Sequence, residues 1–450
     1  MSKKKTLQIQ PQTTPLTGSI TVPGDKSVSH RAIMLASIAD GVSHIKRWLP
    51  AGDTIATLNA FRQLGVQIDV VEHSPQDWDL TIHGRGLHGL QPPAEPLNFV
   101  NAGTGIRLAA GLMAGQAFPV TLDGSGQLRK RPMNRIADPL REMGVDISTT
   151  EGKAPLYVKP KTLTTTEYIM PVASAQVKSA ILLAGLYAQG ETRVYQPGPA
   201  RDHTERMLTA MGVVIEVSDE DAQGGCWITL KAVPEQLQPL ELTVPADPSS
   251  AAFPLVAAAI VPHSQITIEN IGMNDTRTGI LELLEAMGAN FVVTNERVTG
   301  GEPAADLQVT FSELHSTNAS GCVVVRAIDE FPIWSVATSQ AAGASTVCDA
   351  AELRVKEVDR ISMLAGELRK TGVQMDEHPD GFTVSGPIRL QGAEVDSHDD
   401  HRLGMSLAIA GLVAQGETLV HDAACVADSF PGFVETMQML GANMAWLSED

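Results

Sequence analysis

The chain has 450 residues, about three common domain lengths, so two domains or one array of repeats is expected. Its 33 Lys and Arg against 52 Asp and Glu leave a formal charge of −19, which excludes a general nucleic-acid binder and offers no polybasic patch to a membrane. Apolar residues make up 43% and charged residues 19%, too apolar for disorder, and with aromatics at only 4% the core has to be closely packed Ala, Val, Leu, Ile and Met.

The start, MSKKKTLQIQP, is basic but carries no apolar stretch, so no signal peptide is expected. Cys226, Cys322, Cys348 and Cys425 form no C-x-x-C pair, which argues against a disulfide framework or a zinc site and fits a reducing cytoplasm. The apolar run Ala251–Pro262 is broken by prolines and too short to span a bilayer.

In chain order the same pattern returns six times. Nearly all-apolar helices are predicted over Ser27–Ile38, Gly103–Ala114, Ser174–Ala188, Ser249–Ile260, Glu330–Ala341 and Asp400–Val413. Helices apolar all round belong in a core. Each is followed by a strand, an amphipathic helix and a closing phrase: FRQLGVQI, LREMGVDI, LTAMGVVI, LEAMGANF, LRKTGVQM and MQMLGANM. The glycines of these phrases (Gly65, Gly144, Gly212, Gly288, Gly372 and Gly441) are placed as helix C-caps, where a left-handed backbone is needed. Six repeats of this kind form either one solenoid or two domains of three. A boundary near Thr243–Ala246 divides the chain into residues 23–243, and residues 1–22 with 244–450.

The starts of the apolar helices carry charges that a buried helix otherwise avoids, and a helix N-terminus is a natural anion site. PGDKSVSHR places Lys26, Ser27 and Arg31 there; Ser27 is a candidate N-cap, and the two cations suit an anion equally well. NAGTGIR is followed by DGSGQLRKRPMNR, where Arg129, Lys130, Arg131 and Arg135 have no acid among them. They read either as a solvated loop or, because Pro132 fixes the backbone, as an aimed Arg131. Gly103 and Gly105 permit close approach of a small ligand. VASAQVKSA starts with Ser174 and Gln176, and in RDHTERM a capping box of Asp202 and Glu205 leaves Arg201 unexplained.

Asp329 in AIDEFPIW reads as a helix cap. In ELRVKEVDR, Lys356 and Arg360 are expected on one helical face, with Glu357 able to pair with Arg360. In DSHDDHR, His398, Asp399, Asp400 and His401 look like metal ligands, but no wider spacing supports zinc and Asp400 serves as an N-cap; no metal is expected. Arg402 then lies in the first turn of an apolar helix. GRGLHG at 84–89 matches a dinucleotide fingerprint formally but runs into LQPPAEP, so no pyrophosphate site and no nucleotide cofactor is expected.

GDKS (Gly24–Ser27), SAQVK (Ser174–Lys178), RDHTE (Arg201–Glu205) and NDTR (Asn274–Arg277) together resemble the four signatures of the class II branch of the 5-enolpyruvylshikimate-3-phosphate synthase family. The resemblance runs in order from about Pro23 to Pro431. It implies an α/β fold of two domains, each an inverted (inside-out) α/β barrel of three βαβαββ units, closing on an active site in the cleft between them. It also implies transfer of the enolpyruvyl group of phosphoenolpyruvate to the 5-hydroxyl of shikimate 3-phosphate, by addition and elimination, with no cofactor or metal, in a monomer. Carried over by motif, Lys26, Ser27, Arg31, Ser174, Ala175, Gln176, Arg201, Asp329 and Lys356 would hold shikimate 3-phosphate. Lys26, Asn101, Gly103, Arg131, Gln176, Arg360 and Arg402 would hold phosphoenolpyruvate, or the inhibitor glyphosate in its place. Asp329 is the implied base and Glu357 the implied acid, with Lys26 also placed for proton transfer.

Two departures stand out. Asp428 occupies a place where several members of the family carry lysine, and Gly103 is alanine in some glyphosate-tolerant members. The nearest rival, the enolpyruvyl transferase family acting on UDP-N-acetylglucosamine, places a cysteine before the Arg-Pro pair, and GSGQLRKRP contains none. A non-catalytic scaffold of six repeats would not need Asp329 and Glu357 beside the cations.

Overall fold

The computed structural model describes residues 5–221 and 224–447. Most of the basic start, Met1 to Lys4, lies outside the described residues, as do two residues of the acidic stretch after Val217. Each repeat is a βαβαββ unit. The second shows it plainly: strand Leu97–Asn98, helix Gly103–Met113, strand Val120–Asp123, helix Asn134–Glu142 and the hairpin Asp146–Thr150 with Lys153–Lys159. The first two strands run parallel, and the hairpin adds to the second strand antiparallel. The third repeat has the same order, from Glu167–Ile169 to Cys226–Ala232.

The first and fourth repeats exchange their opening strands. Glu241–Thr243 lies parallel to Val42–Trp48 of the first repeat, and Thr17–Thr21 lies parallel to Gln265–Gly272 of the fourth. In the fifth repeat the opening strand shrinks to isolated parallel bridges at His315–Ala342 and Ala319–Val347 beside a three-stranded sheet. The sixth borrows its central strand from the start of the chain: Leu7–Ile9 pairs antiparallel with both Thr418–His421 and Met444–Trp446.

The chain divides into two compact bodies. The first-half body holds residues 24–244 and 298–302; the second-half body holds 1–23, 245–297 and 303–450. In each, three apolar helices form the interior and the sheets surround them. All thirteen residues of Pro248–Ile260 and all twelve of His401–Leu412 are buried. Small residues let these helices touch: a Cβ on Gly111 of Gly103–Met113 would stand 2.2 Å from the carbonyl oxygen of Ala180 in the neighbouring helix. The six closing glycines all adopt left-handed φ, from +83° at Gly65 to +92° at Gly212 and Gly372, as C-caps require. The Gly84–Gly89 segment continues into no helix; the N–H groups of Arg85 and Gly86 donate to the carbonyls of Ser37 and Ala39 and end the first inner helix. Its glycines therefore lie in the turn that closes that helix.

Candidate active site

The first-half body gathers its cations at the starts of its inner helices. Helix Lys26–Ser37 is capped by Asp25, which accepts from the Val28 N–H at 2.9 Å. Ser27 is therefore not the N-cap that its position suggests. The acid one residue before Lys26 is the stronger acceptor for a helix start, and Ser27 Oγ instead accepts from Arg201 at 3.4 Å. Lys26 reaches Asp53 at 3.4 Å and is only partly covered.

Arg31 is 3% exposed, and burial lowers its pKa to about 10. Its guanidinium donates to Thr204 (2.7 Å), Ser179 (2.9 Å) and the Ser27 carbonyl (2.9 Å). It thus holds the Ser27 backbone and binds the GDKS segment to Thr204 of RDHTE.

Helix Gly103–Met113 starts without a side-chain cap. Arg131 lies over this start: a Cβ on Gly103 would meet its Nη1 at 2.8 Å and that of Arg107 at 3.3 Å. The Asn101 carbonyl accepts from the Gly103 N–H at 2.8 Å, and the Asn101 side chain accepts from Ser125. The basic run is not uniformly free, since Arg129 pairs with Asp123, whose carboxyl is held below its usual range. Residues 128–130 form a short 3₁₀ turn rather than open loop, and it turns the chain so that Arg131 is presented at Gly103.

Gln176 is fixed at both ends: its carbonyl accepts from Arg107 at 2.8 Å and its amide donates to Thr104 at 3.0 Å. Ser174 caps Ala175–Gly185 and accepts from Arg135 at 3.0 Å, while Ala175 opens the helix. The capping box expected of Asp202 and Glu205 does not form. Asp202 pairs with Arg206 at 2.8 Å, and Glu205 pairs with the buried Lys178 at 2.6 Å. A desolvated ammonium gains more from a carboxylate than a helix start does.

The second-half body centres on Asp329. The carboxylate is 3.5 Å from Lys356, 3.4 Å from Arg360 and 3.7 Å from Arg402. It caps no helix: Glu330 is the N-cap residue of Phe331–Gln340, without a side-chain cap bond. Three cations outcompete the helix start for Asp329. Lys356 and Arg360 do not share a helical face either. Lys356 ends the 3₁₀ turn Ala351–Val355, and Arg360 opens a new helix capped by Asp359. They meet on Asp329 instead. The expected partner Glu357 does bind Arg360, at 2.7 Å. Arg360 also donates to the fully buried Asp400 at 2.8 Å. Burial disfavours the Arg360 charge, yet Asp400, Glu357 and Asp329 outweigh it and raise the pKa. Asp400, for its part, is lowered: burial opposes ionisation, but Arg360 prevails. It also caps His401–Leu412 through the Arg402 and Leu403 N–H groups.

His398 pairs with Glu367 at 3.0 Å, and among the described residues no group of three or more side chains suits a metal ion. No described helix is long and apolar enough to cross a membrane. Asp428 ends the 3₁₀ turn Ala423–Asp428.

Sequence reasoning passed over Arg107 and Glu330. Arg107 carried a usable signal, a cation within the all-apolar GTGIRLAAG, of the kind that marked Arg402. Glu330 was hidden behind its neighbour Asp329.

Comparison places this architecture among solved enzymes. A structure of EPSP synthase from Acinetobacter baumannii superimposes with a TM-score of 0.88 at 42% sequence identity, over 99% of this chain and 100% of that one. Residues 10–437 match the family model of EPSP synthase (3-phosphoshikimate 1-carboxyvinyltransferase). The chain belongs to the EPSP synthase family. A 3-phosphoshikimate 1-carboxyvinyltransferase of Geobacter sp. (strain M21) is 50% identical over 424 residues, which is 93% of this chain and 96% of the relative. That of Hydrogenovibrio crunogenus is 45% identical over 99% of both.

Proposed function

We propose that this protein transfers the enolpyruvyl group of phosphoenolpyruvate to the 5-hydroxyl of shikimate 3-phosphate and releases phosphate. The observation that carries the reading is a carboxylate, Asp329, set among Lys356, Arg360 and Arg402. A carboxylate in such a cluster lies beside an anion site. The substrates together carry about five negative charges, and cations at Lys26, Arg131, Arg201, Lys356, Arg360 and Arg402 suit them.

In the addition, Asp329 takes the 5-hydroxyl proton as the oxygen attacks C2 of phosphoenolpyruvate, while Glu357 protonates the methylene carbon. In the elimination, the new methyl group loses a proton and phosphate leaves. Lys26, Ser27, Ser174, Gln176, Arg201 and Lys356 hold shikimate 3-phosphate, with Arg31 and Ala175 shaping that end. Lys26, Asn101, Gly103, Arg131, Gln176, Arg360 and Arg402 hold phosphoenolpyruvate or glyphosate. The four signature segments favour the class II branch, and a monomer in the cytoplasm fits the reading.

Phosphate release from the two substrates tests it. Turnover with UDP-N-acetylglucosamine in place of shikimate 3-phosphate, or none at all, would overturn it. Asp329→Ala and Glu357→Ala are each expected to lose most activity while retaining shikimate 3-phosphate binding; near-wild-type rates would remove them as proton carriers.

A further inference from the structure

NDTR (Asn274–Arg277) carries an arginine that is 2% exposed. Arg277 Nη2 donates to Asp247 at 2.7 Å and to Ser249 Oγ at 2.9 Å, at the start of helix Pro248–Ile260. Ser249 Oγ donates in turn to Glu330 Oε1. The same carboxylate oxygen is 3.9 Å from Arg402 Nη1, and Arg402 Nη2 is 3.7 Å from Asp329. One polar chain therefore joins the starts of all three inner helices of the second-half body. It ends with the two forks of Arg402 set against two consecutive carboxyls.

A carboxyl that is 1% exposed at the head of an apolar helix is costly unless its surroundings use it. Glu330 makes no cap bond with its side chain, so the helix itself does not explain it. Asp329 is shared with Lys356 and Arg360 and cannot fix Arg402 alone. We propose that Glu330, held by Ser249 and Arg277, is a positioning residue that sets the guanidinium of Arg402 for the anionic substrate. NDTR is then the buried support of that arginine rather than a substrate contact. Burial raises the Glu330 pKa against the pull of Arg277 and Arg402, and Asp329 adds to the rise. The amide of glutamine is thus a fair substitute for it.

The inference rests on the functional reading given above, and a double-mutant cycle on Glu330 and Arg402 separates the two. Michaelis constants for both substrates and the calorimetric dissociation constant of phosphoenolpyruvate are measured for the wild type, Glu330→Met, Glu330→Gln, Arg402→Lys and Glu330→Met/Arg402→Lys. Glu330→Met should weaken phosphoenolpyruvate about tenfold and change shikimate 3-phosphate less than about twofold, with Glu330→Gln within about threefold of the wild type. The double variant should be little worse than Arg402→Lys alone, because the two residues act as one device. Additive losses, or equal losses for both substrates, would overturn the positioning role. If Glu330→Met does not fold, Ser249→Ala takes its place in the cycle under the same criteria. A wild type that releases no phosphate sinks the functional reading, and the calorimetric cycle still decides the positioning.

Discussion

Gly103 shows how little space is left at the start of helix Gly103–Met113. A methyl there would stand 2.8 Å from Arg131 Nη1, closer than real contacts allow, and the yielding partner is the tip of a flexible side chain. Gly103→Ala should therefore fold normally and displace Arg131. The inhibition constant of glyphosate should rise more than the Michaelis constant of phosphoenolpyruvate; equal shifts would show that the methyl does not discriminate between them. His30 gives a second prediction at this scale. It is buried, hydrogen-bonded to Thr57 at 2.8 Å, and burial lowers its pKa from 6.5 to about 4, with Lys26 and Arg31 adding to the fall and Asp53 and Asp25 opposing it. Between those pH values the unfolded chain binds the proton and the folded chain does not. Stability is thus lost as pH falls from 6.5 towards 4, by up to about 3 kcal/mol from this residue. Denaturant unfolding across that range should show a shallower pH slope in His30→Asn than in the wild type.

At the scale of elements, sequence signatures prove to be halves of buried contacts. Lys178 of SAQVK pairs with Glu205 of RDHTE at 2.6 Å, and Lys178 also donates to Gln196 at 2.6 Å. Lys178→Met leaves Glu205 buried without its cation and should cost about 3–5 kcal/mol in urea unfolding. Lys178→Met/Glu205→Leu should recover much of that loss; a double variant no better than the single one would refute the pairing argument. The apolar helices and their closing glycines were legible because periodicity and left-handed φ are local properties. The caps were not. Asp329 and Glu205 look like caps in sequence because no local rule reports the distant cations that claim them, whereas Asp202 is claimed by Arg206 four residues on. Lys356 and Arg360 were read on one helix because nothing in ELRVKEVDR announces that Asp359 starts a new one. What brought them together was a shared carboxylate, which belongs to tertiary structure.

At the scale of the whole molecule, the six-fold repetition could be read from the sequence, but the traffic of strands between repeats could not. Strands of three to five residues such as Leu7–Ile9 and Glu241–Thr243 have too little pattern to name their partners. Yet Leu7–Ile9 is the middle strand between Thr418–His421 and Met444–Trp446. A chain lacking residues 1–10 should therefore keep a folded first-half body and lose the sixth repeat. Limited proteolysis would find new cleavage after residue 390 and protection before residue 244; uniform protection would contradict the assigned pairing.

The borrowed strand also sets an order in time. Gln8 and its hydrogen-bond partner Glu417 are separated by 409 positions. At about 5–20 residues per second, the ribosome makes the strand tens of seconds before anything exists for it to pair with. The first-half body can complete most of its sheets while synthesis continues. The second-half body must wait with an unpaired strand until the last repeat emerges, and that interval is when nascent chains are most open to capture by chaperones or by one another.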